Sequence, residues 1–294
     1  MPWRYALLFV GVFASSTAVI MIRMSHTHPA VLAALRLLIA AALLAPLFRR
    51  ELRRHRAAYT RGHWRRSLWP AVLLAVHLIS WGYGSRMTFT AQASLIANLV
   101  PIALPFYLHW IVGERINRIE ILGTAIALGG VALLTARAAL THSGDFVGNL
   151  VCFGSMLAAA GYVALGRRNR DFPSLWLYVV PVYLQAGLIS LAASLPWLGT
   201  FELGSGREWL LMFGLACIPT IIGHSMINYG VRHLRGQIVS LVNVLQFVFA
   251  GVLAYFLFHE QPAPLFYGAS TVVVAGVALV VFSAPTPLPA EAVD

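Results

Sequence analysis

Apolar positions in this chain neither alternate nor recur with an amphipathic period. They gather in unbroken runs of about twenty residues, separated by short polar connections. A helix rises 1.5 Å per residue, so a run of that length spans the roughly 30 Å hydrocarbon core of a bilayer. Ten such runs are legible, at about 4–22, 29–48, 68–86, 92–111, 119–137, 145–166, 174–197, 207–231, 236–257 and 263–283. The pattern predicts an all-α membrane protein of ten transmembrane helices. Connections are mostly too short for a soluble domain, the exceptions being 49–66 and 197–209. The first run imitates a signal peptide but is too long and lacks a small-residue cleavage site, so it is read as the first helix. Residues 286–294, Pro-rich and short of large apolar side chains, are expected to be a disordered cytoplasmic tail.

Composition agrees: 59% of the residues are hydrophobic and 11% charged, where a soluble domain carries roughly 25% charged residues. All 21 basic residues are arginine, and eight of them (Arg49, Arg50, Arg53, Arg54, Arg56, Arg61, Arg65 and Arg66) crowd into RRELRRHRAAYTRGHWRR, residues 49–66. A net charge of +11 would suit nucleic acid on a soluble face, but no soluble domain or stacking platform accompanies these arginines, so nucleic acid is excluded as a partner. Cytoplasmic loops retain arginine. Placing this loop inside puts sixteen arginines inside and four outside, with both termini cytoplasmic. The loop then lies on anionic lipid headgroups of what is read as a bacterial inner membrane. Cys152 and Cys217 fall inside apolar runs and form no disulfide framework or metal signature.

The chain also repeats itself. Displaced by 146 residues, positions 83–133 match without a gap. Tyr83, Gly84, Arg86, Ser94, Leu95, Leu99, Glu114 and Gly130 to Leu133 recur as Tyr229, Gly230, Arg232, Ser240, Leu241, Leu245, Glu260 and Gly276 to Leu279. Phe13, Ser15 and Ala18 recur as Phe153, Ser155 and Ala158 at a displacement of 140. The unit holds five helices, an odd number, so the second copy enters the membrane from the opposite side. Two inverted five-helix repeats follow, residues 1–138 and 139–285. Such halves rock between mirror-related conformations around a midplane site, which is the physical basis of alternating access.

A ten-helix inverted repeat carrying HPAVLAALRLLIAAALL (28–44) and ASLIANLVPIALPFYLHWIVGERINRIEILGTAIALGGVALL (93–134) resembles the EamA branch of the drug/metabolite transporter superfamily. The counterpart in the second half is SLVNVLQFVFAGVLAYFLFHEQPAPLFYGASTVVVAGVAL (240–279). The family pattern of a mid-helix Pro and a terminal Glu before a Gly-rich helix is met by Pro101 and Glu114. In the second half Glu260 matches, while Phe247 stands where the Pro would be. The resemblance implies a small-molecule transporter, often an exporter, of amino acids, sugars, nucleosides or drugs. It also implies a structural Arg at position 36.

Ionisable residues at membrane depth are candidate functional groups because burying them is expensive. No Asp or Glu falls in the middle of a run. In cation antiporters of this superfamily a helix-1 carboxylate is shared by cation and proton; here helix 1 offers Ser15 and Ser16. A neutral, zwitterionic or anionic substrate is therefore expected, moved by facilitated diffusion or exchange rather than carboxylate-driven proton antiport. His77 and His224 remain, in near-equivalent positions, able to bond substrate or relay a proton, or else to bond across helices. With them Trp81, Asn98, Tyr162, Asn228, Tyr229, Asn243 and Gln246 form a candidate substrate-binding set. Arg36, about two turns into helix 2, reads as a clamp or an anion site. Arg86 with Glu260 at the outer ends, and Arg232 with Glu114 at the inner ends, read as candidate latches, or as interfacial anchors. Gly123, Gly129, Gly130, Gly268 and Gly276 read as close helix packing. No metal set, GxGxxG or phosphate loop is present, so neither a cofactor nor ATP is expected. The alternatives are a membrane-embedded enzyme acting on lipid, or an assembly or sensor factor docking through the arginine loop.

Overall fold

A computed structural model describes residues 2–113, 116–141, 143–202, 204–233 and 242–283. No strand occurs among them. The helices are α1 (Pro2–Met24), α2 (Pro29–Arg54), α3 (Arg61–Arg66), α4 (Leu68–Met87), α5 (Thr90–Ala97), α6 (Val100–Val112), α7 (Arg118–Thr141), α8 (Ser143–Arg168), α9 (Leu175–Ser194), α10 (Gly206–Leu215), α11 (His224–His233), α12 (Gln246–Phe258) and α13 (Pro264–Ser283). A π-helical segment, Ala216–Gly223, joins α10 to α11 into one rod. Seven helical stretches, including 90–111 across the α5–α6 break and 206–227 in the rod, are long and apolar enough to cross a membrane, and Val242–Phe258 is a shorter apolar helix.

Helix boundaries follow local chemistry. At α7, Asn117 Oδ1 accepts the Glu120 N–H at 2.8 Å while the Glu120 carboxylate accepts the Asn117 N–H at 2.7 Å, a reciprocal N-terminal cap. Asn117 also donates to the Ser283 carbonyl, tying α7 to the end of α13. The arginine loop is shorter than the sequence suggests, because α2 carries its helix on to Arg54 and α3 resumes it at Arg61. All eight arginines are exposed. Arg66 clasps Asp171 with two bonds of 2.6 and 2.7 Å, so the loop docks on the α8–α9 connection at one end of the bundle.

Helix pairing obeys a twofold rule. The extensive contacts include α4 on α8, α1 on the α10–α11 rod, α2 on α9, α5 on α12 and α7 on α13. Exchanging each first-half element with its second-half counterpart leaves that set unchanged: the first two pairs swap and the other three map onto themselves. Two backbone details repeat as well. The fourth apolar run breaks at Asn98–Leu99, ahead of Pro101, and its counterpart breaks at Leu245 although Phe247 replaces the Pro. Gly113 and His259, displaced by 146, both take the left-handed conformation that ends a helix (φ 79° and 55°).

Glycines set the closest approaches. A Cβ on Gly123 would come within 2.6 Å of the Gly276 carbonyl, and one on Gly276 within 2.5 Å of the Ala127 nitrogen, so α7 and α13 meet backbone to backbone. Gly130 is equally tight against Val273. Gly129 and Gly268 meet nothing within 4 Å, so the packing role expected of them does not hold.

Candidate functional site

The site begins with a proline. Pro219 has no N–H to give the Leu215 carbonyl one turn earlier, and the Thr220 hydroxyl donates to that carbonyl instead at 2.7 Å. With its proton so committed, Thr220 Oγ1 turns its lone pairs to Arg36, accepting from Nε at 3.1 Å and Nη2 at 2.8 Å. Arg36 is 3% exposed, in the middle of the hydrophobic core. Among the described residues no carboxylate lies within ion-pair distance of it, and Thr220 is its only hydrogen-bond acceptor. A π-helical segment is costly to keep and recurs at functional sites; here it places Thr220 and His224.

His224 lies one turn beyond Thr220, the residue that Arg36 binds, and His77 lies on α4, which packs against α2. Tyr183 is buried on α9, the helix packed along α2, and Tyr162 packs against the same core. Whereas Arg36 is buried, both histidines are half-buried. Their surroundings differ. The His77 ring nitrogen Nδ1 lies 3.0 Å from the Ser155 carbonyl and 2.8 Å from its hydroxyl, and the hydroxyl donates to the His77 carbonyl at 2.9 Å. That set is self-consistent when Nδ1 carries the proton, which leaves Nε2 as an acceptor. Trp81 lies parallel to the His77 ring at 6.1 Å, its indole N–H buried without a partner. His224 has no hydrogen-bond partner among the described residues. Ser15, the counterpart of Ser155, packs against neighbouring Gly223 with its hydroxyl buried and unpartnered. One His–Ser pair is thus made, and its repeat-related partner is open.

Other candidates fall elsewhere. Asn243 donates to Asn98 at 3.3 Å and Gln246 to Asn243 at 2.7 Å, bridging the two helix breaks. Asn98 also donates to the Ser94 carbonyl of its own helix. These three therefore brace the α5–α12 crossing. Ser16 donates to the Phe13 carbonyl. Tyr229 packs against Trp3 near the start of α1. Glu114 lies outside the described residues, as do the side chains of Asn228 and Arg232.

The face opposite the arginine loop is tied shut, with different partners from those expected. Glu260 pairs with Arg23 at 2.8 Å, not with Arg86, and accepts the Thr90 N–H at 2.8 Å. Arg23 also donates to the Thr88 carbonyl at 2.7 Å. Arg86 binds the carbonyls of Ile22, Ser25 and Thr27 at 2.8–2.9 Å. Buried Glu208 accepts from the hydroxyls of Ser25 and Thr27 at 2.5 and 2.6 Å. The end of α1 is the hub because its last turn exposes carbonyls that a helix cannot satisfy itself. Arg23 and Glu208 announce themselves in sequence as charges at run ends, but nothing there selects their partners.

The model of the EamA-like transporter family matches the chain twice, over residues 2–136 and 146–282. An uncharacterized transporter of Archaeoglobus fulgidus is 29% identical over 179 residues, 60% of this chain and 61% of its own length. The pseudopaline exporter CntI of Pseudomonas aeruginosa is 23% identical over 71% of this chain and 72% of its own. A solved crystal structure, 20% identical, superposes with a TM-score of 0.64 over 96% of this chain and 98% of that one, a likeness of fold.

Proposed function

We propose, from the premise that this chain belongs to the EamA-like transporter family, that it is a secondary transporter working by alternating access without ATP. Membership of that family stands against an enzyme. The cargo is a small polar or amphipathic metabolite, amino-acid-like or related, and the direction is export across a bacterial inner membrane. One observation carries this reading: buried Arg36, bound to Thr220 one turn before His224, sits among helices whose pairing follows the twofold pattern expected of two inverted halves, 1–138 and 139–285. Ten spans with both termini in the cytoplasm accord with the helix order and with the exposed arginines of 49–66, which rest on anionic headgroups at about 1 kcal/mol each. Acidic residues stay at helix ends, so facilitated or exchange transport is favoured over carboxylate-driven proton antiport.

The test is flux of a metabolite panel in proteoliposomes, with and without an imposed pH gradient. Saturable flux of at least one class, retained without the gradient, is expected. Folded protein that moves nothing would refute the transporter reading, and flux only with a gradient would refute the mode.

A further inference from the structure

We infer that Arg36 and His224 together receive an anionic group of the cargo, most simply a carboxylate, and that the cargo is the missing counter-ion of Arg36. This deepens the transporter reading and rests on it.

A guanidinium at membrane depth requires a charge partner, carbonyls or water. Arg36 has one threonine oxygen. Thr220 is itself 1% exposed and has its proton fixed on Leu215, so it orients the guanidinium without neutralising it. The remaining donors need an acceptor, and among the described residues no carboxylate lies within ion-pair distance of them. A planar guanidinium matches a carboxylate edge to edge, through paired N–H bonds.

The two histidines divide the work. His77 is held by Ser155 and presents an acceptor nitrogen, which suits a donor on the cargo. His224, one turn from Thr220, has no hydrogen-bond partner among the described residues, and a neutral imidazole there donates to an anion from whichever nitrogen carries its proton. Pseudo-symmetry gives the exchange a second half. In the opposite conformation His224 docks on Ser15, whose buried hydroxyl has no partner here, and His77 is released.

One kinetic consequence follows. Empty protein must carry an uncompensated cation through the occluded state, while loaded protein carries a neutral pair. Burying a lone charge costs far more than burying a well-bonded pair. Exchange of one anion for another therefore outruns net efflux.

The experiment measures thermal unfolding of the full-length protein in nanodiscs against acetate, benzoate, N-acetylglycine and N-acetylphenylalanine, each beside its uncharged amide. At least one acid is expected to protect at a concentration about tenfold or more below its amide. Arg36→Gln and, separately, His224→Gln are each expected to cut that preference to within about twofold. The second variant keeps the test decisive if the first does not fold, because His224 has no hydrogen bond to lose among the described residues. Amides that protect as well as the acids, no protection by any acid, or an undiminished preference in His224→Gln would overturn the inference. Were that to happen while metabolites still cross proteoliposomes, only the anionic class would fall; loss of all flux would remove the transporter reading itself.

Discussion

Replacing Thr220 with Val removes one hydroxyl and almost no volume, and it isolates the contact on which the site is built. Three hydrogen bonds end on Thr220 Oγ1: two from Arg36, at 2.8 and 3.1 Å, and one to the Leu215 carbonyl at 2.7 Å. A bond to a charged group contributes about 1.5–3 kcal/mol, and a neutral bond inside a membrane protein about 0.6 kcal/mol. Both Arg36 bonds share one acceptor, so they count once; the total is about 2–3.5 kcal/mol. Relaxation of the guanidinium toward other acceptors recovers part of that term, so about 2 kcal/mol is the expected loss. Reversible unfolding in mixed micelles measures it, with Thr220→Ser as the control that restores the hydroxyl. A Val variant within about 0.5 kcal/mol of wild type, an ordinary surface effect, would refute the claim that Thr220 positions Arg36.

The α7–α13 contact separates two kinds of glycine: Gly123→Ala and Gly276→Ala should each cost about 1–3 kcal/mol by overpacking, while Gly129→Ala and Gly268→Ala should gain about 0.5–1 kcal/mol of helix propensity in the same unfolding assay. His259 holds a left-handed backbone where its counterpart is Gly113, so His259→Gly should stabilise by about 1 kcal/mol. Glu260→Gln weakens the tie to Arg23, a partly buried pair worth about 1 kcal/mol; electron-spin distances between labels at exposed His26 and His259 should gain a longer population. Hydrogen bonding from Arg66 holds the Asp171 carboxyl below its ordinary value. A depressed carboxylate stabilises above its unfolded pKa and loses that contribution as pH falls through the folded one. Amide exchange of residues 59–66, corrected for intrinsic rate, should therefore lose protection in wild type only well below about pH 4, whereas Asp171→Asn should lack it at pH 7.

Architecture was legible because it rests on long-range regularities. Apolar run length gives the helices, and the displacement of 146 gives the repeat, seen again in the left-handed pair Gly113 and His259. Partner choice was not legible. Arg86 looked like the mate of Glu260 because both close a helix on the same face, yet α1 brings Arg23 nearer and offers Arg86 carbonyls instead. Thr220 escaped notice because its role depends on a carbonyl freed by Pro219 in the preceding turn; a Pro–Thr pair inside an apolar run is the signal that would have found it. Phe247 in place of the Pro gave no reason to expect a symmetric break, yet both helices break, and Asn98, Asn243 and Gln246 bridge the two breaks with hydrogen bonds.

Alternating access from two faces requires the face tied by Arg23 and Glu260 to open in every cycle. In proteoliposomes, with Cys152 and Cys217 replaced by Ala and cysteines placed at 23 and 260, a cleavable bis-thiol crosslinker fixes that face shut. Flux of the best cargo should stop on crosslinking and return on reduction. Undiminished flux through crosslinked protein would contradict the account.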